Sequence, residues 1–176
     1  EQAVQLLGRI GDGDWLLPAQ DGLARLAEAG GETEAADRLW QRVAERYPKR
    51  AFEVETYRVA MLQRTGRDEE ALKALARVLF YRPDDYNAWL ARGALLDRLG
   101  RYDEAIADMR EAVRLRPHAA VTLNACGYTI GNRSGRHAEA LGMVRRAMEI
   151  VPDNAAIIDS YGWVLYHLGR LPEARS

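Results

Sequence analysis

The sequence predicts an all-α fold in which similar helical hairpins stack in tandem as a solenoid. Three kinds of residue recur along the chain with a period of 34 or 35 residues. The recurring residues are Pro48, Pro83, Pro117 and Pro152; Gly31, Gly66, Gly100, Gly135 and Gly169; and Ala36, Ala71, Ala105, Ala140 and Ala174. A fixed period of this length indicates repeats that each bury an apolar face against their neighbours.

Each repeat is predicted to be a helical hairpin, as residues 86–119 illustrate. Apolar and small residues from Trp89 to Leu99 recur at helical spacing and form one face of a first helix. Gly100 ends that helix, because glycine adopts the left-handed C-terminal conformation without a Cβ penalty. Asp103 is then predicted to cap the second helix, and the recurrent proline closes it.

The small residues predict where the two helices of a hairpin approach each other most closely. Gly93 on the first helix and Ala105 on the second are expected at this crossing, where a larger side chain would push the backbones apart. One slot of the second helix is predicted to fill the space between hairpins. Its occupants are Trp40, Leu75, Met109 and Val144.

The segment from Trp89 to Pro117 resembles the tetratricopeptide repeat. The positions that carry the resemblance are Trp89, Gly93, Ala105, Ala112 and Pro117. This resemblance implies a right-handed superhelix whose first helices line the concave wall. Leucine is usual just before the glycine of the first helix, but this chain has Arg58 and Arg92 there.

The resemblance implies that the whole chain, residues 1–176, is one tetratricopeptide repeat array. The assigned segments are 1–16, the second helix of a preceding repeat; 17–51, 52–85, 86–119 and 120–154, four repeats; and 155–176, a truncated repeat. Because both ends fall inside a repeat, we expect the chain to be a fragment of a longer array. One extra residue between Gly127 and Gly135 is expected to lengthen that first helix or its turn.

Composition argues against a nucleic-acid partner and against a membrane span. The net charge is −1, and the charged residues, 29% of the chain, alternate in sign instead of forming a basic stripe. Such a stripe is what neutralises phosphates. No apolar run approaches the ~18 residues that a membrane-spanning helix needs.

The residues that could carry chemistry do not form a catalytic or metal-binding pattern. Cys126 is the only cysteine and lies in a core-facing slot, so we interpret it as a small buried hydrophobe. The three histidines, His118, His137 and His167, are scattered, in an inter-repeat loop, a hairpin turn and the last first helix, and lack zinc-ligand spacing. We therefore expect no enzyme activity, no metal and no cofactor.

The candidate partner-binding surface is the concave wall that the resemblance implies, in its fourth and fifth units. The candidate residues are Asn124, Tyr128, Asn132, Asp159, Trp163, Tyr166 and His167. Aromatic rings supply anchor area and amides pair with backbone, so this set suits an extended peptide. For Trp163 and Tyr166 an alternative stays open, in which both side chains pack against a further repeat.

A terminal-carboxylate clamp of the kind found in chaperone-binding members of the family is not expected. That subclass uses lysines and asparagines on the concave wall. The corresponding positions here hold Leu90, Ala94, Asn124, Tyr128 and Asp159.

Residues 123–170 carry a second resemblance, to long tetratricopeptide repeat proteins of Gram-negative bacteria that are often outer-membrane lipoproteins. One member of that group is the adaptor of a periplasmic carboxyl-terminal processing protease, to which it delivers cell-wall hydrolases. The resemblance implies a periplasmic protein, anchored to the outer membrane through an N-terminal segment outside this chain, with the protease and its hydrolase substrates as partners.

Two classes of function remain open at this point. The first is a non-enzymatic scaffold or adaptor that binds a protein or peptide in the concave groove. The second is a structural array that self-associates, or the repeat region of a larger protein whose catalytic domain lies outside this chain, with a cytoplasmic location as the alternative. A signal peptide and lipobox in the full-length sequence would support the adaptor, whereas a fused transferase or kinase domain would support the second class.

Overall fold

The computed structural model describes residues 13–174, and the regular secondary structure of that range is entirely helical. In chain order the α-helices are α1 (Leu16–Ala29), α2 (Thr33–Arg46), α3 (Ala51–Arg64), α4 (Asp68–Tyr81), α5 (Tyr86–Arg98), α6 (Tyr102–Leu115), α7 (Ala120–Ser134), α8 (His137–Ile150), α9 (Ala155–His167) and α10 (Leu171–Ala174). A 3₁₀ turn, Pro48–Arg50, precedes α3. The predicted all-α tandem fold is confirmed.

The helix predicted over residues 1–16 lies outside the described residues, apart from a turn at 13–15 and the first residue of α1. The unit boundaries assigned from the sequence stay a prediction. The extra residue of the fourth unit lies within its first helix: α7 has 15 residues, whereas α5 and α9 have 13 each.

The chain divides into two compact units, Glu1–Pro83 and Asp84–Ser176. In the N-terminal unit α1 pairs with α2 and α3 with α4, and α3 also contacts both helices of the first pair. In the C-terminal unit the pairs are α5 with α6, α7 with α8 and α9 with α10. Here α7 packs on α6, and α9 packs on both α7 and α8, so each first helix lies against the hairpin before it.

The glycines of the repeat mark the ends of the first helices, as predicted. Gly100 has a φ of 78°, in the left-handed region that side chains disfavour. Its N–H donates to the Asp97 carbonyl, and the next N–H, of Arg101, donates to the Leu96 carbonyl, which closes the helix. The same positive φ recurs at Gly31, Gly66, Gly135 and Gly169.

The predicted N-cap of α6 is wrong. Helix α6 begins at Tyr102 with Arg101 as its N-cap, and Asp103 lies inside the first turn without a capping hydrogen bond. There its carboxylate favours the positive end of the helix dipole instead of satisfying a particular N–H. Side-chain caps occur at two first helices: Asp85 accepts from two N–H groups of α5, and Asn154 accepts from two of α9.

The predicted close crossing within the hairpins is confirmed. A Cβ atom placed on Gly93 would lie 2.9 Å from Met109 Cγ and 3.1 Å from the Ala105 carbonyl oxygen. Gly127 has the same position in the next hairpin, where a Cβ atom would lie 3.1 Å from the Ala140 carbonyl oxygen. Real Cβ atoms almost never come this close, so the crossing requires glycine on the first helix.

The interior of each unit is filled from the second helices, as predicted. The residues of the inter-hairpin slot, Trp40, Leu75, Met109 and Val144, are all buried. Cys126 is fully buried in a cluster with Ile106, Met109 and Ile130, which confirms its interpretation as a small buried hydrophobe. Burial raises the pKa of the Cys126 thiol to about 12, because the low-dielectric surroundings disfavour the thiolate.

The two arginines that replace the usual leucine are held by ion pairs. Arg92 donates from Nε and Nη2 to both carboxylate oxygens of Asp108, at 2.6 and 2.8 Å, and its guanidinium lies 4.7 Å from the Trp89 ring centroid. Arg58 donates to Asp37 at 2.8 Å. The charge of each arginine is therefore paired with a carboxylate from another helix.

We predict that Ala105→Leu destabilises the protein by about 1–3 kcal/mol, because the extra carbons have to displace the α5 backbone at the crossing. The measurement is equilibrium denaturation followed by circular dichroism. Ala107→Leu is the matched control, since Ala107 lies exposed on the same helix. If the two variants unfolded at the same midpoint, Ala105 would not be a packing contact.

We predict that Cys126 does not react with a thiol reagent such as Ellman's reagent while the protein is folded at pH 8. The raised pKa keeps the buried thiol protonated at this pH, and protein atoms block access to it. Addition of guanidinium chloride is expected to release one reactive thiol per chain. Stoichiometric labelling without denaturant would contradict the burial.

Candidate functional site

The candidate residues lie on α7 and α9, the first helices of two successive hairpins in the C-terminal unit. Two pairs of them occupy equivalent positions on the two helices, separated by 35 residues. The equivalent pairs are Asn124 with Asp159 and Tyr128 with Trp163, and Asn132 and His167 lie near the C-terminal ends of their helices. Since α7 and α9 contact each other, these pairs form successive levels of one surface, which we call the α7/α9 surface.

Four of the predicted residues form a single aromatic cluster on the α7/α9 surface. The ring centroids of Tyr128 and Trp163 are 5.6 Å apart, which joins the two helices. Trp163 and His167 are 4.3 Å apart, and Tyr166 meets His167 edge to face at 5.5 Å. These separations and tilts fall in the range that aromatic pairs prefer.

Trp163 is seated on the backbone of α7. A Cβ atom placed on Gly131 would lie 3.0 Å from Trp163 Cζ3 and 3.2 Å from Ala140 Cβ, so glycine leaves room for the indole. Trp163 therefore packs against the preceding hairpin. This contact leaves the indole partly buried and fixes its position between α7 and α9.

The predicted position of His137 in a hairpin turn is wrong. This residue begins α8 instead of lying in a turn, and its ring stacks on His167 with centroids 4.9 Å apart and an interplanar angle of 19°. It also meets Trp163 edge to face at 5.8 Å. Two of the three histidines are therefore neighbours, whereas the linear spacing indicated that all three were scattered. The sequence feature that could have indicated this contact is Gly131, a glycine outside the 34-residue period, which lies next to both Trp163 and His137.

The histidine pair does not amount to a metal centre in the part of the chain that the structure describes. No group of three histidine, cysteine, aspartate or glutamate side chains comes together there in a way that could hold a metal ion. The Nδ1 atom of His137 is buried and makes no hydrogen bond. Among residues 13–174, no helix is both long enough and apolar enough to cross a membrane.

The polar candidates on the same two helices differ in their exposure. Asn132 and Asp159 are exposed, whereas Asn124 is half-buried. The Oδ1 atom of Asn124 is buried and accepts no hydrogen bond from the described residues. A buried acceptor of this kind loses its hydration without a replacement, which costs free energy.

Exposed apolar area accompanies these polar groups. Tyr128 is 44% exposed and Tyr166 is 63% exposed, and Val121, near the start of α7, is also largely exposed. Large aromatic side chains are the residue type that most often anchors a protein partner. The α7/α9 surface thus combines accessible rings, one seated indole and free polar groups.

Between α5 and α7, next to this surface, the first helices are joined by an ion pair and not by aromatic rings. Arg133 of α7 donates from Nε to Asp97 of α5 at 2.9 Å, and its guanidinium lies 4.9 Å from the Tyr102 ring centroid. In the N-terminal unit Arg64 of α3 donates to Glu28 of α1 at 2.9 Å. Between α7 and α9 the corresponding positions hold uncharged Asn132 and the stacked His167, so the link between first helices changes character there.

Comparison with protein families gives matches along much of the chain. Two models, each described as tetratricopeptide repeat, match residues 19–50 and 62–120, together just over half of the sequence. The TPR repeat-containing protein PA4667 of Pseudomonas aeruginosa is 32% identical over 174 residues, which are 98% of this chain. The chain spans 29% of that relative's length.

Solved structures share the fold. MamA (residues 41 to the end) from Desulfovibrio magneticus RS-1 is 19% identical, with a TM-score of 0.74 over 94% of this chain and 92% of MamA. The first TPR domain of Spaghetti (RPAP3), bound to the HSP90 peptide SRMEEVD, is 18% identical, with a TM-score of 0.63 over 68% of this chain and 94% of that domain. The repeat glycines, the hairpin crossings and these matches show that the chain belongs to the tetratricopeptide repeat family.

Proposed function

We propose that this chain is a non-enzymatic scaffold that holds an extended segment of a protein partner against the α7/α9 surface. The observation that carries the proposal is the aromatic cluster, in which the exposed rings of Tyr128 and Tyr166 flank the seated indole of Trp163. The family supports protein binding in general, and the RPAP3 domain of the same fold is bound to a peptide.

The chemistry of the surface suits an extended peptide backbone. Rings of Tyr128 and Trp163 offer apolar area to side chains of the segment, since aromatic anchors dominate the binding energy of most interfaces. The amide side chain of Asn124, which is half-buried on α7, is a group of the kind that pairs with the backbone of an extended segment. Asn132 and Asp159 are exposed beside the rings and are available for further contacts.

Absence of catalysis is part of the proposal. Tetratricopeptide repeat proteins typically act as scaffolds without catalytic residues of their own. The single thiol of the chain, Cys126, is buried and stays protonated near neutral pH, so it is unsuited to act as a nucleophile.

For the full-length protein we propose a periplasmic adaptor, tethered to the outer membrane, that delivers cell-wall hydrolases to a carboxyl-terminal processing protease. The resemblance of residues 123–170 to adaptors of that kind supports this role. Those residues include every member of the α7/α9 surface, so the segment that carries the resemblance is also the segment that would bind the partner.

Self-association is the second candidate, and one feature of the N-terminal unit favours it. Phe80, near the C-terminal end of α4, is 81% exposed, and the neighbouring Tyr81 is half-exposed. The equivalent positions of α6 and α8 carry charged residues, Arg114 and Glu149. An exposed aromatic pair of this kind would suit contact with a second copy of the chain.

We predict that Tyr128→Ala weakens binding of the captured partner by tenfold or more, since loss of a central aromatic anchor typically costs ~2 kcal/mol or more. Binding is measured by titration calorimetry on variants whose circular dichroism matches that of the parent. Arg145→Ala is the control, because Arg145 is exposed on α8 away from the cluster. Equal losses in both variants, or none at Tyr128, would favour the assembly role.

We predict that the full-length protein, used as bait in a cell-envelope extract, captures a carboxyl-terminal processing protease together with a cell-wall hydrolase. A bait carrying Tyr128→Ala is expected to retain less of the partner that the α7/α9 surface holds. Mass spectrometry of the captured proteins gives the result. Recovery of cytoplasmic proteins alone, or of the bait alone, would contradict the adaptor role.

A further inference from the structure

We infer that two copies of this chain pair through one exposed stripe of α4, with the two helices antiparallel about a two-fold axis. The stripe consists of Lys73, Ala76 and Phe80, and we call it the α4 stripe. The inference rests on self-association, the second candidate function, and assigns it a surface and an orientation of the helices.

The α4 stripe lies opposite the core-facing side of its helix. Its members are spaced by three and four residues, so they share one helix face, and all of them are exposed. Leu75 and Val78, on the other side of α4, are buried. Phe80 is 81% exposed. Because α4 lies in the middle of the chain, with complete hairpins before and after it, this exposure does not follow from the ends of the chain.

The ring of Phe80 lacks the cation that covers other rings in this protein. Within the N-terminal unit, the guanidinium of Arg82 lies 4.6 Å from the ring centroid of Phe52. Among the described residues no cation lies over Phe80, whose ring meets Tyr81 edge to face with the centroids 5.6 Å apart. The open face of the Phe80 ring therefore attracts a cation from outside the copy that carries it.

The α4 stripe itself carries such a cation. Lys73 lies two helical turns before Phe80, about 10 Å along the helix axis, which is too far for its ammonium group to cover the ring of the same copy. Lys73 makes no hydrogen bond or ion pair with any residue between 13 and 174, whereas Arg77, its neighbour on this side of α4, donates to Glu55 at 2.8 Å. Lys73 is thus available to a partner.

An antiparallel pair of α4 helices satisfies both groups at once. A two-fold axis near Ala76 places Lys73 of each copy at the level of Phe80 of the other copy, so the same cation–ring contact forms twice. Ala76 lies at the crossing, where its small side chain lets the two helices approach closely. One helix face gives a small interface, below about 1,200 Å² in total, so we expect a weak dimer with a Kd on the order of 100 µM.

A second copy fits the α4 stripe better than an unrelated partner does, because the stripe is its own complement. The second helices of the C-terminal unit lack this combination of a cation and a ring. Their positions corresponding to Lys73 and Phe80 hold Ala107 and Arg114 on α6, and Gly142 and Glu149 on α8.

The test uses two single variants, Lys73→Glu and Phe80→Lys, and sedimentation equilibrium of the 176-residue chain between about 5 and 500 µM. Each variant alone is expected to dimerise about tenfold more weakly than the parent, because the first places a carboxylate on the ring and the second opposes two pairs of cations.

An equimolar mixture of the two variants is expected to regain the dimer, to within about threefold of the parent affinity. In the mixed pair the carboxylate introduced at position 73 of one copy meets the ammonium group introduced at position 80 of the other. The unchanged Phe80 and Lys73 meet on the other side of the axis. Glu149→Lys, the matched change at the equivalent exposed position of α8, is the control and leaves the dimer affinity unchanged.

The inference is overturned by a mixture that associates no more tightly than its components, or by a dimer that survives Phe80→Lys. Circular dichroism checks that each variant is folded. If a charged variant unfolds, Phe80→Ala replaces it, and an undiminished dimer in that variant is equally contrary to the inference.

These outcomes separate the α4 stripe from the proposed functions. A dimer that persists in Phe80→Lys retains self-association through another surface and rejects the α4 stripe, whereas a parent chain that stays monomeric up to about 500 µM rejects both. The scaffold function fails separately, through an undiminished affinity of Tyr128→Ala for the captured partner.

Discussion

The close approach of the two helices in the α5/α6 and α7/α8 hairpins is the constraint on which the structure of the C-terminal unit depends. A Cβ atom placed on Gly93 or on Gly127 of the first helix would lie 3.1 Å from a carbonyl oxygen of the second helix. At this separation no side chain fits between the backbones, so the large apolar residues of the second helix are directed to the space between hairpins. The positions of α5 and α7 against their partner helices follow from these crossings.

Charged side chains specify how neighbouring helices align within each unit. In the N-terminal unit Asp37 accepts from both Arg58 and Arg67, and in the C-terminal unit Asp108 holds Arg92 through two hydrogen bonds. Buried ion pairs of this kind contribute little net stability, because desolvation offsets most of their attraction. Their effect here is orientation, since a guanidinium fork and a carboxylate fit together in few arrangements.

The α7/α9 surface departs from this use of charge. Between α5 and α7 an arginine and an aspartate link the first helices, whereas between α7 and α9 the link is Tyr128 against Trp163. Gly131 makes the change possible, because its missing side chain provides the seat for the indole.

The sequence by itself determined the repeat, the class of fold, the glycines that end the first helices and the small residues at the hairpin crossing. These features depend on local backbone geometry and on the 34- or 35-residue period, and both can be read directly from the sequence. The candidate residues of the α7/α9 surface could also be placed on two helices, because equivalent positions follow from the period. Asp103 was misassigned as a cap since several acidic residues near a helix start are equivalent by composition, and only backbone geometry separates a cap from a first-turn residue.

The tertiary structure alone decided which of these residues touch. His137 and His167 are 30 residues apart in sequence, and nothing in either local segment indicates that their rings stack. The seat of Trp163 on Gly131 likewise depends on the rotation of α9 against α7. Such contacts join different hairpins, so they depend on the packing angle between helices, which a one-dimensional pattern does not encode.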